Sequence, residues 1–289
     1  MWCADEWKDY ILIDALGGEK LEYWKNVLLR RPEPQAIWTA KSQTALWNKT
    51  DATYKRSSSG GGHWEIYNKK TPDRWMVSYK NLTFNIKPMG FKHTGLFPEQ
   101  AVNWDWFSAL IRDAKKPVKV LNLFAYTGGA TVAALEAGAE VCHVDAAKGM
   151  VSWAKENVIS SGLSDRHVRY IVDDVKKFVA REARRGNKYD AIIMDPPSYG
   201  RGPKGELWKL EDELYPLLED CMKILSDEPL FFLVNVYTAG FSKTIMENVM
   251  MLTVKEKFGG KICCDEIGLP IKDRNMVLPC GMSCRWSRD

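Results

Sequence analysis

From about Val118 onward, short, mostly apolar runs alternate with longer stretches whose apolar positions return every three or four residues. The first pattern predicts strands buried on both faces, and the second predicts helices that cover them. Val118-Lys-Val-Leu121 leads into Asn122-Leu-Phe-Ala-Tyr-Thr-Gly-Gly129 and then Ala130-Thr-Val-Ala-Ala-Leu135, which reads as strand, glycine-rich turn and helix. Glu140-Val-Cys-His-Val144 ends in Asp145, followed by a helical stretch from about Lys148 to Ser161 with a cap near Gly162. Val168-Arg-Tyr-Ile-Val172 ends in Asp173-Asp174, and Val175 to Arg185 reads as a helix with basic residues in its last turns, as the helix dipole favours. Tyr189-Asp-Ala-Ile-Ile-Met194 ends in Asp195-Pro-Pro-Ser198. Beyond it the pattern predicts a helix over roughly Leu207 to Leu225, a strand at Leu230 to Val236 and a helix from Ser242 to about Val254. Lys261 to Leu269 and Met276 to Trp286 then predict a closing hairpin at one edge. The fold class is α/β, a doubly wound Rossmann-like sheet of about seven strands with right-handed crossovers.

Residues 1–90 follow a different rhythm. Tyr10 to Trp24 predicts a hairpin about Gly17-Gly18, and Trp75 to Tyr79 with Leu82 to Ile86 predicts another about Lys80-Asn81. Ser57 to Gly62 reads as a flexible or tightly turning loop. A smaller N-terminal β-rich domain follows, with residues 91–289 forming the α/β domain. The first hundred residues hold fifteen Lys plus Arg against eleven Asp plus Glu, and seven of the twelve Trp. Basic residues interleaved with aromatics suit contact with single-stranded RNA, although Trp clusters also fill small cores.

The stretches Asn122 to Gly129 and Asp195 to Pro197 carry a resemblance. They are similar to the class I S-adenosylmethionine-dependent methyltransferases, and within them to the bacterial large-subunit ribosomal RNA base methyltransferases, whose motifs read N-x-F-x-Y-T-G-G and D-P-P. The likeness covers roughly Phe91 to Trp286. Lys92 to Gln100 resembles that family's K-T-G-F-x-x-D-Q loop, with Glu99 in place of Asp and Ala101 in place of the usual Arg. The resemblance implies a class I methyltransferase fold, S-adenosyl-L-methionine as cofactor and an RNA substrate, ribosomal RNA first.

Residue chemistry can be set beside that likeness. Asp145, at the end of the second strand, is placed to accept both ribose hydroxyls of the donor, as an acid does in dinucleotide folds. Asp174, or else Asp173, ends the third strand and can accept from the adenine amine. Phe124, Tyr126, Thr127 and Gly128 line the turn near the amino-acid tail, and the resemblance adds Gln100 and Asp195 to the cofactor set. For each acid the plain alternative is a helix N-cap. On the acceptor side stand Asp195, Pro196, Pro197, Ser198 and Tyr199. Prolines fix the backbone and cannot donate, which leaves carbonyls to accept from a target amine beside the Asp195 carboxylate. Tyr199 is a candidate face for stacking an extruded base. Gly200 to Glu206 has the small and basic character of a substrate loop or of a plain connection.

Methylation of a pyrimidine ring carbon needs a Cys nucleophile, and the ring-carbon members of the resembling family carry it just after the fifth strand. Here that stretch is Asn235-Val-Tyr-Thr-Ala239, without a thiol. An exocyclic nitrogen is therefore the expected acceptor, with Tyr237 or Asn235 able to position it. A small-molecule or protein methyltransferase, and an inactive RNA- or nucleotide-binding module, stay open as alternatives. The seven cysteines show no C-x-x-C pair and are odd in number, so they are expected to be reduced, with no metal bound. No apolar run approaches the roughly 20 residues of a membrane span, no signal peptide is evident, and a cytoplasmic location is expected.

Overall fold

The computed structural model describes residues 1–41, 44–57, 61–201, 207–238, 240–272 and 274–288. Residues 58–60 of the predicted Ser57 to Gly62 turn, 202–206 of the expected substrate loop, and Ala239 lie outside the described residues. The chain divides into two compact units, Met1–Ala101 with Ile267–Cys280, and Val102–Glu266 with Gly281–Asp289.

The first unit is β-rich. Its strands are β1 (Trp2–Cys3), β2 (Tyr10–Leu16), β3 (Glu19–Trp24), β4 (Val27–Pro32), β5 (Ala52–Arg56), β6 (Gly62–Ile66), β7 (Trp75–Tyr79) and β8 (Leu82–Ile86). Strands β2 to β6 form one sheet in chain order, and β7 pairs with β8. The β2–β3 turn has φ +59° at Gly17 and +80° at Gly18, the doubly left-handed geometry that a two-residue hairpin favours. The predicted turn at Lys80 is present too, with φ +50°. Trp7, Tyr10, Trp24 and Tyr79 pack ring on ring inside this unit, so these aromatics fill a core. At its centre Arg31 pairs with the fully buried Glu22, which also accepts from the Tyr10 hydroxyl at 2.8 Å. Burial works against the Glu22 charge, yet Arg31 and Lys20 outweigh it and hold the carboxyl at about 2.

The second unit holds the predicted strand-helix alternation. Its elements are α1 (Ala101–Asp113), β9 (Lys119–Leu123), α2 (Gly129–Glu136), β10 (Glu140–Asp145), α3 (Lys148–Ser160), β11 (Val168–Val172), α4 (Val175–Arg185) and β12 (Ala191–Met194). There follow β13 (Tyr199–Arg201), β14 (Leu207–Lys209), α5 (Leu210–Met222), β15 (Phe231–Val236), α6 (Lys243–Met250), α7 (Glu256–Phe258), β16 (Lys261–Ile271) and β17 (Met276–Ser287), the end of β16 and the start of β17 being counted with the first unit. Five strands run parallel in the order β15-β12-β9-β10-β11, and β17 pairs antiparallel with β15. Every residue of β12 and β15 is buried, as continuous apolar runs require in a sheet covered on both faces. On one face Leu121, Ile192 and Phe232 meet Phe178 of α4, Leu214 and Leu218 of α5 and Met246 of α6 in one core.

Three expectations are corrected. The large sheet has eight strands rather than seven, because β1 pairs in parallel with Ile267 and Gly268 of β16. Two residues are too few to show a periodicity. The helix expected from Leu207 begins at Leu210, since Leu207–Lys209 pairs with Tyr199–Arg201 in a small hairpin. Finally, Cys264 and Cys284 are bonded to each other, with Cα atoms 4.1 Å apart, because adjacent strands bring opposite residues that close. The other five cysteines are free.

Candidate active site at the switch point of the sheet

From β9 the chain steps outward to β10 and β11, then returns to the far side of β9 at β12. The order reverses between β9 and β12, and a crevice opens there at the carboxyl ends of the strands, where open α/β sheets take their ligands. The register brings Leu123 opposite both Val144 and Met194, and Asp145 opposite Val172. The segments that follow these residues, Phe124 to Gly128, Asp145 to Ala147, Asp173-Asp174 and Asp195 to Ser198, therefore leave one edge together.

The turn after β9 is held in a costly shape. Phe124 and Tyr126 have φ of +53° and +49°, a region that side-chain-bearing residues enter at about 1–3 kcal/mol each. Such strain persists only where surrounding bonds over-determine it, and they do so here. The Ala125 N–H donates to Val144 O at 3.0 Å, the Tyr126 N–H to Asp145 Oδ2 at 2.8 Å, and Asn157 Nδ2 of α3 to Thr127 O at 2.8 Å. Beneath the turn, Asn122 donates to the Thr131 hydroxyl at 3.0 Å, which lies 2.9 Å from Nδ1 of His143. His143 is fully buried, and burial pushes it down to about 4, so the ring in this chain is neutral at physiological pH.

Gly128 is constrained by packing as well as by its backbone. Its φ is +81°, and a Cβ there would lie 2.8 Å from the Ala154 Cβ of α3. Gly128→Ala is expected to destabilise the protein by about 2 kcal/mol or more, combining left-handed strain with overpacking. Thermal melting and donor calorimetry check this, and donor affinity should fall along with the melting temperature.

Asp145 is half-buried, and each of its oxygens accepts one backbone N–H, from Tyr126 and from Ala147, both at 2.8 Å. Burial lifts the carboxyl above its ordinary value against the pull of those two N–H groups. Each oxygen keeps a second lone pair for a hydroxyl. Asp174 realises the N-cap alternative, with Oδ1 accepting from the Lys177 N–H at 2.9 Å. Asp173 pairs with Arg181 and accepts from the Asp174 N–H. Gln100 ends the short turn Pro98–Gln100 and is buried within the first unit.

On the acceptor side the Asp195 N–H reaches Leu123 O at 3.4 Å, tying the cluster to the end of β9. Asp195 is half-buried, Pro196 buried, and Pro197 and Ser198 exposed. The carbonyl of Pro197 does not stand open, because Trp208 Nε1 donates to it at 2.6 Å. The Ser198 hydroxyl accepts from Thr238 at 2.6 Å, and Tyr199 is 54% exposed. Asn235 is buried, its amide oxygen bonded to Asn103 at 3.1 Å and Ser283 at 2.7 Å, so its side chain organises the sheet rather than facing an acceptor. Sequence reading did not single out Trp208, Thr131, His143 and Asn157. Among the described residues no cluster of three or more His, Cys, Asp or Glu is arranged to hold a metal ion, and no helix is long and apolar enough to cross a membrane.

A desolvated carboxylate beside a strained backbone turn suits a ligand with ribose hydroxyls and a polar tail. The family model of the S-adenosylmethionine-dependent methyltransferases matches residues 28–212. The chain belongs to this family. S-adenosyl-L-methionine is accordingly the cofactor of this methyltransferase. The enzyme is similar over 98% of its length, and 91% of the other chain, to the crystal structure of the SAM-dependent methyltransferase from Agrobacterium tumefaciens, at 37% identity and a TM-score of 0.93. It is 33% identical over 145 residues to the ribosomal RNA large subunit methyltransferase K/L of Shewanella frigidimarina, covering 50% of this chain and 20% of that protein. It is 28% identical over 198 residues to the ribosomal RNA large subunit methyltransferase I of Tolumonas auensis, covering 68% of this chain and 47% of that protein. The methyltransferase thus spans between a fifth and about half the length of these curated relatives.

Proposed function

We propose that this methyltransferase modifies a base of RNA, ribosomal RNA before other RNA, at an exocyclic nitrogen rather than a ring carbon. The observation that carries the reading is the rigid Asp195-Pro-Pro-Ser cluster at the switch point beside the Phe124 to Gly128 turn, next to a strand end, Asn235 to Thr238, that has no thiol. The names of the curated relatives support RNA as the substrate class.

In this reading Asp145 holds the donor ribose, Asp174 or Asp173 the adenine, and the Phe124 to Gly128 turn the amino-acid tail. The bound cofactor supplies an electrophilic methyl group on a sulfonium. With donor and acceptor bound, the acceptor nitrogen would take that methyl as the sulfonium leaves as a neutral thioether, and the Asp195 carboxylate would accept the proton the nitrogen gives up. The excess of positive charge in the first hundred residues suits a role of the first unit in holding RNA. A cytoplasmic location belongs to the same proposal.

A ring-carbon route would require a thiolate within reach of the target. Burial pushes Cys142, inside β10, up to about 11, and raises Cys221 on α5 further. Ser replacement of each of the five unbonded cysteines is therefore expected to leave methyl transfer within about tenfold, roughly 1.4 kcal/mol of barrier. RNA carrying a fluorinated pyrimidine should trap no covalent complex. A stable adduct, or one Cys variant that folds and binds donor but is inert, restores the ring-carbon mechanism.

A further inference from the structure

The two halves of the site are bridged by one indole. Trp208 Nε1 donates to Pro197 O at 2.6 Å, and the same ring lies 5.1 Å from the Phe124 ring, centroid to centroid, at 56°. Phe124 is one of the two strained residues of the donor turn, and Pro197 belongs to the acceptor cluster. In the β13–β14 pair Gly200 stands opposite Trp208 and Tyr199 opposite Lys209. Directly opposed residues share a face of the ribbon and neighbours along a strand alternate, so Trp208 and Tyr199 lie on opposite faces. The cross-strand neighbour of Trp208 is a glycine, whose missing Cβ would sit 3.9 Å from the Trp208 Cβ, so the residue directly opposite puts no side chain against the half-buried indole, which packs against the core beside Phe124. The hairpin's base is pinned at Ser198, whose carbonyl accepts from the Leu210 N–H at 3.1 Å and whose hydroxyl accepts from Thr238.

We propose that Trp208, rather than Tyr199, is the aromatic wall against which a flat acceptor ring is held, and that it confines the enzyme to planar acceptors. This deepens the base-methylation reading and rests on it. An indole fixed at its nitrogen and backed by Phe124 is a preorganised stacking surface that loses little rotamer freedom when a base arrives. The bond to Pro197 also couples the wall to the cluster that bears Asp195, so a ring stacked on it presents its amine to that carboxylate.

Full-length Trp208→Leu, Trp208→Phe and Tyr199→Leu, compared with the parent enzyme, test this. The readouts are kcat and acceptor KM with labelled donor on total RNA, protein and metabolite fractions, donor-product affinity by calorimetry, and RNA binding to enzyme saturated with S-adenosylhomocysteine. Trp208→Leu should raise acceptor KM, and weaken RNA binding, by about ten- to a hundredfold while donor-product affinity stays within about threefold. Trp208→Phe keeps a ring but loses the bond to Pro197, so it should hold KM near that of the parent and lower kcat. Tyr199→Leu should move KM less than Trp208→Leu. Unchanged acceptor KM and binding in Trp208→Leu, a larger effect from Tyr199→Leu, or a loss confined to donor affinity would each overturn the proposal. Label entering only protein or metabolites would defeat the RNA reading, and the same comparison on that acceptor would still decide the role of Trp208. Should Trp208→Leu not fold, a Trp208→Phe variant with raised KM and normal kcat would equally contradict it.

Discussion

Asp195→Ala should lower kcat by about 10²- to 10⁴-fold, on the order of 3 to 5 kcal/mol of barrier, while leaving most donor affinity in place. The carboxylate follows a fully buried strand, and its backbone N–H is tied to the end of β9, so it stands where the acceptor must enter. If it receives the proton released by an attacking amine, removing it takes away an interaction needed in the transition state and not in the bound ground state. Asp195→Asn separates the two possible contributions, since an amide can still orient an amine but cannot take its proton. It should be nearly as slow as the alanine variant. Single-turnover kinetics with saturating labelled donor give the chemical step directly, and an alanine variant with normal turnover would reduce Asp-Pro-Pro-Ser to a strand-ending turn.

Asp145→Ala should weaken donor binding by about 1.5 to 3 kcal/mol for each charge-assisted bond lost, one or two in number. Part of the loss comes through the backbone, because the same carboxylate accepts the Tyr126 N–H that keeps Tyr126 at φ +49°. Asp145→Asn should do little better. Both carboxylate oxygens accept a backbone N–H, from Tyr126 and Ala147, and the amide group of Asn would point two donors at one of them. Affinity should also fall on acidification, beginning above the ordinary range of an aspartate because burial has raised this carboxyl. Calorimetry with S-adenosylhomocysteine measures all of these, and unchanged affinity in a folded Asp145→Ala protein removes Asp145 from the pocket.

What could be read from the chain before its structure follows from the range of the interactions involved. β9, β10, β12 and β15 are short, mostly apolar stretches whose interiors are buried, a local signature, and acids mark the ends of β10 and β12. The glycine turn was legible for the same reason, although the packing constraint on Gly128 was not: the Cβ it lacks would strike Ala154, twenty-six residues away. Asn235 looked like an acceptor-positioning residue until the fold brought Asn103 and Ser283 to it from elements 132 and 48 residues distant. The β13–β14 hairpin escaped because three-residue strands carry no periodicity, and with it went Trp208 and the occupied carbonyl of Pro197. Asp174 remained ambiguous, since a strand-ending acid that caps the next helix has the same sequence pattern as one that waits for a ligand.

Transfer of a labelled methyl group from S-adenosyl-L-methionine to ribosomal RNA, followed by nucleoside digestion and mass spectrometry, tests the central claim most directly. Label in a base-methylated nucleoside, with the methyl on an exocyclic nitrogen and transfer lost in Asp195→Ala, is the predicted result. Label on ribose or on a ring carbon, or none in RNA while protein or small molecules are methylated, would contradict it.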